Sequence, residues 1–213
     1  MKKFAVLVSA VLLVFGFAIT DARASLVYNL NGVFNGVSPT STAPYLTATF
    51  TTVTTGIVTL TLQASLETAS EFIGEIAFNV ASIIPATLAF TPSAGTPGAD
   101  LSATTQNAQN LNGGGNTGKG FDFLLNFDAN TLNDSVLFEY TITASGITEA
   151  SFNDQTSSGL YIGAHIQGIL LNGGTTSGAV TGTGTSAVPI PSAVWLLGSG
   201  LIGLVAVRRR FRK

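Results

Sequence analysis

The chain has 213 residues, no cysteine and a single histidine, and 9% of its residues are charged, against about 25% in an ordinary soluble domain. Without cysteine, disulfide staples and thiolate zinc sites are excluded, so an exported fold must stand on its own core. Charge is segregated. Residues 25–188 hold 10 acids and one base, Lys119, a net charge of −9, which excludes nucleic acid and other phosphate-rich polyanions and fits cations or a neutral polysaccharide surface.

The N-terminus has the order of a secretory signal peptide. Lys2 and Lys3 precede a 16-residue run, 4–19, that is apolar apart from Ser9. Ala22-Arg23-Ala24 is an A-x-A cleavage site, so residues 1–24 are expected to be a signal helix and Ser25 the mature start. The secretion translocon and signal peptidase are the partners this segment implies.

From residue 25 onward the apolar pattern has period 2. Weak strand patterns lie at 26–30, 87–91 and 161–171. Strong ones lie at 46–51, where Leu46, Ala48 and Phe50 alternate with threonines, and at 58–66, 72–80, 121–127 and 136–142. Period-2 runs of β-branched and aromatic residues are what half-buried strands need. No helical period with caps stands out. The expected body, 25–171, is therefore all-β: an antiparallel β-sandwich, jelly-roll-like or immunoglobulin-like. Phe50, Phe78, Phe123, Phe127, Phe138 and Tyr140 are its expected core aromatics. Residues 92–120, rich in Ser, Gly, Asn and Thr with Gly113-Gly114-Gly115, are predicted to form a long loop.

Chemistry is sparse in this body. His165 is the only imidazole, and no Gly-x-Ser-x-Gly elbow accompanies it. It is predicted to be a hydrogen-bonded structural residue in a strand. Glu67, Glu71 and Glu75 are spaced by four, which suits a helix face, but the local pattern is a strand and the charges are expected to be solvated. No catalytic residue and no enzyme activity are expected. Asp128, Asn130, Asn133 and Asp134 crowd one turn between two strong strands. Oxygen ligands so close together suit calcium. The spacing is not that of an EF-hand loop, and Asn and Asp are also the ordinary residues of hairpin turns. The turn is thus either a calcium site or a plain turn, and no other cofactor is expected.

Residues 172–187 are rich in Gly, Thr and Ser and are predicted to form a flexible spacer of about 20–25 Å, or, in the first half, a last strand. The C-terminal segment then runs Val188-Pro189-Ile190-Pro191, an apolar stretch at 192–207 with Trp195 near its start, and Arg208, Arg209, Arg210, Arg212 and Lys213. Sixteen residues make about 24 Å of helix, enough for a thin bilayer with snorkelling arginines. The positive-inside rule keeps the Arg cluster cytoplasmic. Gly198, Gly200 and Gly203 match a dinucleotide-binding string, but inside an apolar helix with no strand before it they serve close helix approach instead.

These residues, in this order, resemble the PEP-CTERM sorting signal of Gram-negative bacteria in its Val-Pro-Leu-Pro-Ala variant, with Ile190 where the commonest form of the motif has Glu. The resemblance implies recognition and cleavage near the Pro motif by an exosortase, and delivery to the cell surface or exopolysaccharide matrix. The body is similar to the outer domain of small PEP-CTERM proteins of no established activity. Gly120-Phe121-Asp122-Phe123, the strand at 136–144, Gly146-Ile147-Thr148 with Ser151-Phe152, and residues 164–169 carry that similarity. The resulting expectation is an exported, transiently membrane-anchored, then surface or matrix protein of structural or adhesive role. A carbohydrate-binding module is the rival, which an exposed row of aromatics would favour. A hydrolase is a third reading, which a cleft joining His165 to a carboxylate would favour.

Overall fold

A computed structural model describes residues 23–81, 87–94, 96–97, 100–102, 107–129, 131–133 and 137–187. The signal segment through Ala22 lies outside them. So does the tail, with Val188, Pro189, Ile190, Pro191, Trp195, Gly198, Gly200, Gly203, Arg208, Arg209 and Arg210. Among the described residues no helix is long and apolar enough to cross a membrane.

The body is all-β. In chain order its strands are β1 (Ser25–Leu30), β2 (Gly32–Gly36), β3 (Leu46–Thr54), β4 (Ile57–Ala64), β5 (Phe72–Phe78), β6 (Ala89–Pro92), β7 (Asp100–Ser102), β8 (Gln109–Asn110), β9 (Lys119–Phe121), β10 (Phe123–Asn126), β11 (Leu137–Thr143), β12 (Ile162–Leu171), β13 (Gly174–Thr181) and β14 (Gly184–Ala187). A 3₁₀ turn covers Glu149–Phe152. Two six-stranded sheets form, ordered β14-β1-β3-β4-β11-β6 and β2-β13-β12-β5-β10-β7, with β8 and β9 as a separate ribbon. Every pairing of these strands is antiparallel.

The first sheet follows the alternation in the sequence. Leu46, Ala48 and Phe50 of β3 face the core beside Leu60, Leu62 and Ala64 of β4, while Thr47, Thr49 and Thr51 lie on the other face, paired with Gln63, Thr61 and Thr59. Threonine suits the water-facing side of a pleat because its branched Cβ matches strand geometry and its hydroxyl remains solvated. Leu26, Tyr28 and Leu30 of β1 and Phe138, Tyr140 and Ile142 of β11 extend the same apolar face. From the second sheet, Ile76 and Phe78, Phe123 and Leu125, and Ile162, Ala164 and Ile166 join this one buried cluster. Each such side chain contributes about 1.5–3 kcal/mol through burial. All six predicted core aromatics are buried. Phe152, from the 3₁₀ turn, stacks on Phe50 with ring centres 4.1 Å apart.

The second sheet is covered on both faces. Ala77, Leu111, Phe121, Leu124, Leu160 and Ala179 form a smaller cluster, with Phe34 packed against it. Strand β5 is therefore buried at every position from Ile73 to Phe78, and β12 from Ile162 to Ile166.

Two expectations are corrected by the structure. The predicted spacer at 172–187 is instead a turn, β13 and β14, and pairing continues to Ala187, opposite Ser25. Backbone hydrogen bonds hold Gly, Thr and Ser in these ladders irrespective of their flexible composition. The predicted loop at 92–120 contains β7, β8 and the start of β9. Phe121, in phase with Phe123 in the sequence, lies in the smaller cluster, because a bend at Asp122 separates β9 from β10.

Candidate functional site

On the covered face of the second sheet, strand registers line up a polar row. Asn35 pairs with Ala179, Ala179 with His165, His165 with Glu75, and Glu75 with Asn126. Glu75 and His165 are both buried, at 7% and 8% exposure. Residues 107–121, with the β8–β9 ribbon, lie over this row.

Each group in the row meets the cover differently. The Glu75 carboxylate accepts a hydrogen bond from the Asn112 backbone N–H at 2.8 Å and a second from the Asn112 side-chain amide. The Asn35 amide donates to the Gly113 carbonyl. Gly113 itself sits on the imidazole. A Cβ there would stand 2.6 Å from His165 Cδ2 and 2.8 Å from Nε2, and its φ is +73°, so only glycine fits. Gly114 and Gly118 approach equally closely: a Cβ on either would lie 2.7 Å from the Cα of the other. The glycine run is thus required for close contact rather than for mobility.

His165 departs from expectation. It lies in a strand as predicted, but neither ring nitrogen has a hydrogen-bond partner among the described residues, although both are buried. A neutral imidazole carries one donor and one acceptor, and each left unsatisfied costs about 1–3 kcal/mol. Burial pushes the imidazole below its ordinary value of 6.5, while the Glu75 charge pulls it partly back.

Two further carboxylates act as ties for loops. Asp122, 1% exposed, accepts from the Val80 N–H at 2.9 Å and the Asn107 N–H at 2.8 Å. Its own N–H donates to the Asn79 side chain at 3.1 Å. Glu71, fully buried, accepts from the Thr40 N–H and hydroxyl, both at 2.7 Å, and from the Ser41 hydroxyl at 2.6 Å. Burial alone would raise the Glu71 carboxyl; the hydrogen bonds from Ser41 and Thr40 outweigh it and hold the group below 4.5. The expectation of solvated charges is therefore overturned for Glu71 and Glu75. Charge-assisted bonds from backbone N–H groups and hydroxyls replace water around them.

The proposed calcium ligands are only partly described. Asp128 is exposed, and its carbonyl accepts from the Thr131 N–H at 3.1 Å. Asn133 lines a cavity of about 300 Å³ with Leu66, Glu67, Thr68 and Ala69. Asn130 and Asp134 lie outside the described residues. Among the described residues no three His, Asp or Glu side chains cluster as a metal centre would require.

On the same covered side, Asn107, Asn110, Asn116, Lys119, Ser157 and Ser158 rim an open hollow of about 670 Å³. Among the described residues no aromatic ring is exposed; Phe34, Phe72, Phe90 and Tyr161 are half-buried. The His165–Glu75 pair lies beneath backbone rather than in a cleft, so a substrate would have to displace residues 112–113 to reach it. The residue the sequence reading overlooked is Asn112. Its neighbour, the glycine run, was the available signal, read as part of a long loop although it marks close packing. No protein-family model matches the chain, and no curated protein matches it.

Proposed function

We propose that this is an exported, exosortase-sorted surface or extracellular-matrix protein with a structural or adhesive role and no enzymatic activity. One observation carries the reading: the order Pro motif, apolar stretch and Arg cluster in Val188–Lys213, following directly on the last strand. A signal-peptide pattern at the other end supports export. Both apolar ends then serve transport, and the cysteine-free body functions outside the cytoplasm.

In this reading the body is a jelly-roll-like β-sandwich. One buried cluster shared by both sheets supports the layered arrangement. Strand order supports the wrap. The consecutive strands β1 and β2 fall in different sheets, and their partners β14 and β13 are likewise consecutive. The test is intact-mass analysis of the native protein. A species lacking the residues after about Pro189 is expected; a mature species ending at Lys213 overturns the sorting role.

A second reading, contact with exopolysaccharide, is favoured by the polar hollow. It combines amide and hydroxyl groups with Lys119, the body's only base, and such groups hydrogen-bond sugar hydroxyls. A glycan array with the full-length protein separates the two: specific retention of an oligosaccharide, lost in Asn110→Ala, supports a binding module.

A further inference from the structure

We propose that residues 107–121 form a pH-sensitive cover, released from the second sheet when a proton on His165 draws Glu75 away from Asn112. Two groups compete for one carboxylate. Both hydrogen bonds by which Asn112 holds its place go to Glu75. Glu75 is also the residue directly opposite His165 across the β5–β12 ladder, and opposed residues on one face of an antiparallel pair are close enough for their side chains to interact.

The neutral imidazole makes no claim on Glu75. Its two nitrogens have no partner, and Gly113 covers the ring. A protonated ring is different. A buried cation without a counter-charge is costly, and it offers two N–H donors that need acceptors. Among the described residues the cover's one ionisable group, Lys119, is exposed. Residues 111–118, directly above, contain no ionisable side chain. On the far side β13 presents Ala179 and β2 presents Asn35. In the same register row Glu75 is followed by Asn126, and Asp100 comes only on the strand beyond, about 14 Å from His165 at about 4.8 Å per strand. The charge of a protonated ring is therefore met by Glu75 or by water. Either outcome loosens the seat of the cover: Glu75 holds Asn112 with both of its oxygens, so turning one of them to the ring weakens that hold, and water requires Gly113 to lift.

Opening also breaks the bond from the Asn35 amide to the Gly113 carbonyl, and the remaining attachments set what opens. Asp122 binds the Asn107 N–H at the start of the segment, and Phe121 stays in the apolar cluster. The moving part is thus 108–118, with Leu111 as the apolar plug that leaves. The direction follows from linkage. Burial depresses the closed-state affinity of His165 for a proton, so the open state binds more protons. The closed form is favoured above the ordinary value of 6.5 and loses ground as pH falls through it.

Hydrogen–deuterium exchange of the full-length protein in mild detergent tests this, with rates corrected for the intrinsic pH dependence. Between pH 7.5 and 5.5 the peptide covering 111–118 is expected to lose up to about tenfold in protection, the ceiling for one group with an open-state value of 6.5. Peptides of β4 should not change. His165→Gln should remove the pH step in 111–118. No step in the native protein, or an equal step in His165→Gln, overturns the proposal. A second readout needs no variant. The chain has one histidine, so its imidazole resonance is unambiguous. Its titration midpoint should lie below 6.5, with the loss of protection in 111–118 setting in between 6.5 and that midpoint; a midpoint at or above 6.5 overturns the proposal equally.

Discussion

The hydroxyl of Ser41 donates to the carboxylate of Glu71 over 2.6 Å, and the same hydroxyl accepts from the Glu67 N–H over 2.8 Å. The contact fixes the β2–β3 connection to the segment leading into β5. It illustrates how a body with one base uses its acids. Among the described residues three of them, Glu71, Glu75 and Asp122, are buried and accept hydrogen bonds from the backbone of a neighbouring segment. A carboxylate can accept several bonds at once without a cation partner, so loops of little apolar content are held by acceptors instead of by hydrophobic anchors.

Glu71→Gln should lower stability by about 2–3 kcal/mol, measured by urea unfolding, because one acceptor oxygen is replaced by an amide donor facing hydroxyls and an N–H. The Glu71 carboxyl is held below 4.5 in the folded protein. Its contribution is therefore complete above about pH 4.5 and is lost as pH falls through the folded value. The native protein should lose more stability than Glu71→Gln on going from pH 6 to 3. Parallel curves would show that Glu71 contributes nothing to acid unfolding.

Phe152→Ala should cost about 3–5 kcal/mol. The ring is 1% exposed, stacks on Phe50, and lies 5.8 Å from Phe78 across the shared core. Its carbonyl also receives the Tyr28 hydroxyl at 2.9 Å, an interaction the substitution leaves in place. A loss under about 1 kcal/mol in thermal unfolding would show that the 3₁₀ turn is not part of the cooperative core.

Two glycines of positive φ should respond differently to alanine. Gly168, φ +75°, lies at the irregularity between Ile166 and Ile169, and a Cβ there would meet the Ser70 carbonyl oxygen at 1.8 Å. Gly168→Ala should cost about 3–5 kcal/mol, overpacking adding to left-handed strain. Gly173, φ +82°, has nothing within 4 Å, so Gly173→Ala should cost about 1–2 kcal/mol. Equal midpoints in urea would contradict the packing at Gly168.

The first sheet was legible in the sequence because one of its faces meets water. Thr49 against Phe50 and Thr61 against Leu60 write the alternation directly. The second sheet was less so. With Ala77, Leu124 and Ala179 buried on the face opposite the main core, polar punctuation is weak in β12, whose span gave only a weak pattern, whereas β5 still read as a strand. Strand β13 was read only as the alternative to a spacer, although Asn172-Gly173 announced it. Both residues have positive φ, 50° and 82°, the type I′ requirement that Asn-Gly meets best. The site could be read only as single residues. His165 and Glu75 stood out as ionisable, but their pairing depends on the β5–β12 register, and their burial depends on a cover folded over from elsewhere in the chain.

The opposition of Ser25 and Ala187 has a mechanical consequence. Only four residue pairs, from Ser25↔Ala187 to Tyr28↔Gly184, join β14 to β1, and β14 is the outermost strand of its sheet. Tension applied through the C-terminus therefore loads the ladder at its first rung, and the rungs break one after another rather than together. A body tethered by that end would yield first by peeling its last strand, lengthening the tether by a few residues while β1 keeps its pairing with β3.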